Sequence, residues 1–228
     1  MSKLWIPSLW TGPGGPQAYQ RRTRAAAGGG AFTFINNVAA GSTTGNNVTT
    51  GDIDTTGVNL IILAISTYAG SATPSDSKTN TWSALTSYGG VGDKIRLYYS
   101  VNPTVGSGHN FTASSTALFP SIAVATFSGS HATPFDAENG GATATTGSIT
   151  PVGDNELVVS GVSWYPGGTV SIDGTGFSIT DQVNYVAGQH MGAALAYKIQ
   201  ASVGAENRTW SGVTFTEVAT TIAAFKAA

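Results

Sequence analysis

Hydrophobic and polar residues alternate with a period of two along much of the chain. In Lys94-Ile-Arg-Leu-Tyr-Tyr-Ser-Val101, Ile95, Leu97, Tyr99 and Val101 fall on one face, and Lys94, Arg96, Tyr98 and Ser100 fall on the other. Such a pattern predicts a strand. Asn59-Leu-Ile-Ile-Leu-Ala-Ile-Ser66 does not alternate and predicts a buried strand, as does Ser121-Ile-Ala-Val-Ala-Thr-Phe127. Segments rich in turn-forming residues, 72–80, 88–93, 103–110 and 129–133, separate these strands. No stretch carries a 3.6-residue period over a helical length, so the expected fold class is all-β.

The pattern also occurs twice. Asn59-Leu-Ile-Ile-Leu-Ala-Ile-Ser-Thr-Tyr-Ala-Gly70 matches Glu156-Leu-Val-Val-Ser-Gly-Val-Ser-Trp-Tyr-Pro-Gly167. Leu97-Tyr-Tyr-Ser-Val101 matches Leu195-Ala-Tyr-Lys-Ile199, and Val124-Ala-Thr-Phe127 matches Ile222-Ala-Ala-Phe225. The spacing is nearly constant, which marks an internal duplication over residues 54–129 and 151–226. It also makes 193–199 a strand. The expected architecture is one jelly-roll-like β-sandwich of about ten strands, because five strands alone bury a thin core. Two separate five-stranded domains joined by a Gly/Thr-rich link over 130–148 remain the alternative.

Composition adds to this. Of 228 residues, 41% are hydrophobic and 10% charged, well below the roughly 25% usual in globular domains. Ser, Thr, Asn and Gly supply the polarity, which suits strands and turns. The longest apolar run, Leu60–Ile65, is far shorter than the about twenty residues of a membrane helix, so no membrane segment is expected. The chain has no cysteine, which excludes disulfides, thiolate metal sites and a cysteine nucleophile.

Charge is segregated. Residues 1–30 carry Lys3, Arg21, Arg22 and Arg24 and no acid, among prolines and glycines that preclude a helix. Residues 31–228 hold the acidic excess. Arg21-Arg22 precedes a small-residue stretch rather than an apolar one, so a secretion signal is not expected. Residues 1–30 instead predict an extended docking arm, with Leu4, Trp5, Ile6 and Trp10 as apolar anchors and Arg21, Arg22 and Arg24 meeting a partner's carboxylates. An acidic body disfavours nucleic acid.

Candidate chemistry is sparse. His109, His131 and His190 show no metal-ligand spacing and are expected in solvated loops. No nucleophile elbow or phosphate loop is present. Asp136 and Glu138 offer a carboxylate pair, but their glycine-flanked setting suits a solvated turn. Asp52 and Asp54 resemble the start of a calcium loop whose closing glutamate is missing, so they are expected to cap a turn. No catalytic residue, metal or cofactor is therefore expected. Tyr68 and Trp164-Tyr165 follow matched strands where these run into loops. With Trp82 they form a candidate surface for stacking sugar rings; the competing role for the tryptophans is to fill the core.

Asp76-Ser-Lys-Thr-Asn-Thr-Trp82, Leu97–Thr112, Pro120–Gly129 and Pro134-Phe-Asp136 resemble Ser/Thr/Gly-rich β-sandwich proteins of tailed bacteriophages and prophages. The resemblance spans about residues 45–228. It implies a virion-associated structural or adhesive protein; the basic arm on a sparsely charged body without a chemical site adds the expectation of a non-enzymatic protein on the exterior surface, decorating or cementing the capsid through residues 1–30. The partners expected on that reading are the major capsid protein or another virion protein, and further copies of the chain, as a trimer following the local shell symmetry. The alternative is a glycan-binding module for adhesion to a host surface glycan, on a phage tail or secreted.

Overall fold

The computed structural model describes residues 30–228. Leu4, Trp5, Ile6, Trp10, Arg21, Arg22 and Arg24, the expected arm residues, lie outside the described residues.

Among the described residues there are strands and no helix. The first half contributes Thr33–Gly41 (β1), Val48–Thr49 (β2), Leu60–Tyr68 (β3), Thr73–Asp76 (β4), Ser83–Tyr88 (β5), Asp93–Val101 (β6), Phe111–Ser114 (β7) and Ser121–Ser128 (β8). The second contributes Ser130–Gly141 (β9), Glu156–Tyr165 (β10), Ser171–Ile172 (β11), Ser178–Val183 (β12), Gly192–Gln200 (β13), Trp210–Ser211 (β14) and Glu217–Ala227 (β15). Two five-stranded sheets have the orders β1-β8-β3-β6-β5 and β12-β13-β10-β15-β9. Smaller sheets, β2-β7-β4 and β11-β14, complete the structure.

The large sheets pack face to face as a β-sandwich. Leu60, Ile62, Ala64, Leu97 and Phe127 of the first sheet meet Leu157, Val159, Leu195, Ala223 and Phe225 of the second in one buried cluster. The next residues along the same strands point outward and are buried again. Ile61, Leu63, Ile65 and Val124 lie under Val48, Phe111 and Ala113 of the small three-stranded sheet. Val162, Trp164, Ala194 and Ala196 lie under Val170 and Trp210. The chain is thus stacked in four layers, small, large, large, small. This explains why Leu60–Ile65 does not alternate: both faces of β3 are covered, so both sets of side chains are apolar.

Each large sheet comes from one contiguous half of the chain, and the two inner faces close on each other. The crossing between layers happens within each half: β1, β3, β6 and β8 lie in the large sheet, and β2, β4 and β7 in the small one. Ladder register follows the sequence match, with Leu60 opposite Val101 and Phe127, and Leu157 opposite Ile199 and Phe225.

Two expectations need correction. The turn cluster 72–80 contains β4, whose exposed Thr and Ser lie on an edge strand. The expected link over 130–148 begins with β9, twelve residues long, at the edge of the second large sheet. Its Thr, Ala and Gly content hid it. One inward aromatic, Phe135, anchors it against Tyr99 at 6.3 Å and Phe225 at 6.4 Å.

Candidate functional site

The inner face of β3 reads Leu60, Ile62, Ala64, Ser66, Tyr68, and that of β10 reads Leu157, Val159, Gly161, Ser163, Tyr165. Both therefore pass from apolar core through a hydroxyl to an aromatic ring at the same end of the sandwich. The hydroxyls close the floor: Ser66 Oγ donates to Ser163 Oγ, and lies 2.8 Å from the Gly192 carbonyl oxygen. Beyond the floor stand Tyr68, 48% exposed, and Tyr165, 37% exposed.

Ladder neighbours bring acids to the same mouth. Tyr68 pairs with Asp93 across β3–β6, and Tyr165 pairs with Glu217 across β10–β15. Glu217 is exposed, and its carboxylate lies so close to Gly92 that a Cβ added there would overlap Oε2. Glycine at 92 leaves room for that approach; a larger residue would push the flexible Glu217 side chain aside. Asp93 is 1% exposed, and neither of its carboxylate oxygens has a hydrogen-bond partner. Burial, reinforced by the neighbouring Glu217, pushes its carboxyl up to about 7.

Two loops complete the rim. The turn Val186–His190 is closed by Val186 N–H donating to the His190 carbonyl at 3.0 Å and His190 N–H to that of Val186 at 3.1 Å. The His190 ring is fixed by Nδ1, 2.6 Å from the Ser42 carbonyl oxygen. Met191 N–H donates to the Phe119 carbonyl at 3.0 Å, tying this turn to the loop before β8. Tyr185 meets Tyr165 edge to face at 4.8 Å, and Phe119 meets Tyr68 likewise at 6.3 Å. Burial, with Tyr165 and Asp93 nearby, raises the Tyr185 phenol above its ordinary value.

The result is a cleft of three adjoining hollows of about 220, 230 and 280 Å³. The middle hollow is lined by Tyr68, Tyr165, Tyr185, Met191 and Glu217. On one side lie Phe119, Val186 and His190, and on the other lie Asp93, Glu217 and the exposed Val91. Tyrosine faces in the middle can stack on flat rings, and the carboxyl groups on one flank can accept hydrogen bonds from hydroxyl or ammonium donors.

Of the four residues expected to stack sugars, the structure brings together Tyr68 and Tyr165 only. Trp164 is fully buried in the outer core. Successive strand residues point to opposite faces, so Trp164 and Tyr165 do not share a surface. Trp82 is away from the cleft. It is half-buried edge-to-face on Phe111 at 6.2 Å, and its Nε1 donates to Asp76 Oδ2 at 3.0 Å. Tyr185, Phe119, Asp93 and Glu217 were missed. For Asp93 the signal was available: it continues the inward set Ile95, Leu97, Tyr99.

The remaining candidates are structural. His109 and His190 are buried, not solvated. His109 Nδ1 lies 2.9 Å from Thr55 Oγ1 and its Nε2 3.0 Å from Asp76 Oδ1, and burial lowers its pKa despite Asp76. Asp54 Oδ1 accepts from the N–H and hydroxyl of Thr56 at 2.9 and 2.7 Å, capping the turn before β3. Asp136 and Glu138 lie on β9 rather than in a turn. Asp136 accepts from Val152 N–H at 3.0 Å, and Glu138 from Thr86 N–H at 3.0 Å. Among the described residues, no group of three or more His, Asp or Glu is placed to hold a metal ion. No helix of the described residues is long and apolar enough to cross a membrane.

The chain matches no family model, no curated protein and no solved structure.

Proposed function

We propose that this is a non-enzymatic binding protein whose sandwich takes a saccharide in the cleft between the matched ends of its two large sheets. The observation that carries this is the pair Tyr68 and Tyr165: large rings left exposed at the mouth of an otherwise closed core. Exposed aromatic faces beside the carboxyl groups of Asp93 and Glu217 suit a ring with apolar faces and polar edges. The backbone here is held by strand ladders and tight turns, so the rings need little ordering on binding.

Tyr68→Ala and Tyr165→Ala are each expected to weaken glycan binding about tenfold or more, the scale of removing one aromatic ring from a small site. Stability should change by less than about 1 kcal/mol, because neither ring is core. A glycan array probed with the whole chain, then calorimetry on the best ligand, makes the measurement. A wild-type protein that binds nothing on the array, or alanine variants that bind equally well, would remove this function.

A second reading concerns where the protein works. The resemblance over about residues 45–228, together with the basic, acid-free segment 1–30, favours the exterior of a tailed-phage virion, with the chain as a trimer on the capsid. Within the first half, the order β1-β8-β3-β6 facing β2-β7-β4 favours a jelly roll, a fold common in capsid shells. A chain lacking residues 2–30 is expected to melt as the full chain does, yet to be absent from purified particles. Full occupancy by the truncated chain would end the attachment role of that segment.

A further inference from the structure

We infer that the cleft is built for a cationic ligand, so that its saccharide carries an ammonium group seated between the Asp93–Glu217 flank and the tyrosine rings. This rests on the saccharide reading above and narrows it to one chemical class.

The two flanks of the cleft have different chemistry. Phe119 and Met191 lie toward one side, and Asp93 and Glu217 toward the other. None of the lining residues is a lysine or arginine. Lys94, next to Asp93 in sequence, turns away, with its Nζ on the Gly89 carbonyl at 3.2 Å. Elsewhere among the described residues, buried acids keep at least one partner: Glu156, beside Asp136, has Oε2 unpaired but accepts from Gly153 N–H at 2.8 Å through Oε1. Glu206 holds Lys198 at 2.5 Å and Arg208 at 3.3 Å, and Asp76 holds His109 at 3.0 Å. Asp93 differs from these: it is as buried as they are, with both oxygens unpaired and a second carboxylate beside it.

A neutral sugar would hydrogen-bond these oxygens but leave the Glu217 carboxylate, and Asp93 once it has lost its proton, uncompensated. An ammonium supplies the missing charge and the missing donors together. It also suits the rings, because the faces of Tyr68, Tyr165 and Tyr185 attract a cation held within about 6 Å. The apolar flank of Phe119 and Met191 then receives the uncharged remainder of the ligand.

Three probes separate the possibilities: a glucosamine tetramer with free amines, its fully N-acetylated counterpart, and choline, a cation without a sugar. Each is titrated by calorimetry into the whole chain and into Glu217→Gln, a change at an exposed side chain that leaves the core intact. The expected result is at least about tenfold tighter binding of the free-amine tetramer than of the acetylated one. That preference should vanish in Glu217→Gln and weaken as salt is raised. Equal affinity for the two tetramers overturns the ammonium seat while leaving the saccharide reading standing. Choline binding lost in Glu217→Gln, with neither tetramer bound, keeps the seat and removes the saccharide. Failure of both the free-amine tetramer and choline to bind overturns the inference, whatever the array returns.

Discussion

Asp93→Asn is expected to stabilise the protein at neutral pH and to flatten part of its pH dependence. Asp93 titrates near 7 in the fold and at 3.8 as an ordinary side chain. Between these values the unfolded chain has lost the proton and the folded chain still holds it. The unfolded state therefore binds fewer protons, and stability falls as pH rises. The full contribution is present below about pH 4 and is lost on passing about pH 7. A shift of this size corresponds to about 4 kcal/mol. Asparagine mimics the protonated side chain and carries no charge, so the variant should gain roughly that amount at about pH 8 and little at about pH 4.

The groups facing Asp93 fix the sign. Glu217 from β15 repels its charge, Tyr68 lies opposite it on β3, Tyr185 from the β12–β13 loop has its phenol raised further above its ordinary value, and Lys94 is bound to Gly89. Buried His109 works the other way, since its lowered pKa costs stability as pH falls. The quantity to measure is thus the difference between wild type and Asp93→Asn in urea denaturation at several pH values, in which His109 cancels. A variant less stable than wild type at about pH 8, or a difference that does not change with pH, would mean that Asp93 has a partner in the fold. The ammonium ligand would then lose its seat.

The strands that carry the central core were legible because the sandwich demands a simple code. Ile95, Leu97 and Tyr99 alternate, and Leu60–Ile65 is continuously apolar, and both patterns follow from which faces are covered. The site was half legible. Tyr68 and Tyr165 stood out as aromatics at matched strand ends, and their exposure follows from lying two residues beyond the last inward hydroxyls, Ser66 and Ser163. The partners of these rings were not legible, since Phe119, Tyr185 and Met191 arrive on loops whose path is set by distant hydrogen bonds such as His190 to Ser42. Glu217 looked like an ordinary turn acid because pairing across a ladder is invisible in one strand alone, whereas Asp93 could have been read from the inward alternation of Ile95, Leu97 and Tyr99. Strand β9 was missed because its small residues satisfy a neighbouring strand without a hydrophobic stripe.

Trp164→Ala should destabilise the protein more than any of the other substitutions, by about 3 to 5 kcal/mol for a large buried aromatic. Trp164 is fully buried with Val162, Ala194, Ala196 and Trp210. Its indole lies over the backbone of Gly192, where an added Cβ would overlap the ring. Removing the ring leaves a cavity under a two-stranded sheet, with small alanines that cannot fill it. The loss is a large part of the roughly 5 to 15 kcal/mol that holds a domain together. Gly192→Ala tests the same packing from the other side. In the wild-type background the added methyl meets the ring and destabilises. In the Trp164→Ala background it enters the vacated space, so the double variant should be more stable than the sum of the two single changes requires. Denaturation of the four proteins closes that cycle. Strict additivity, or a Trp164→Ala protein that melts like wild type while losing its glycan, would move Trp164 from the core to the binding surface, next to Tyr165.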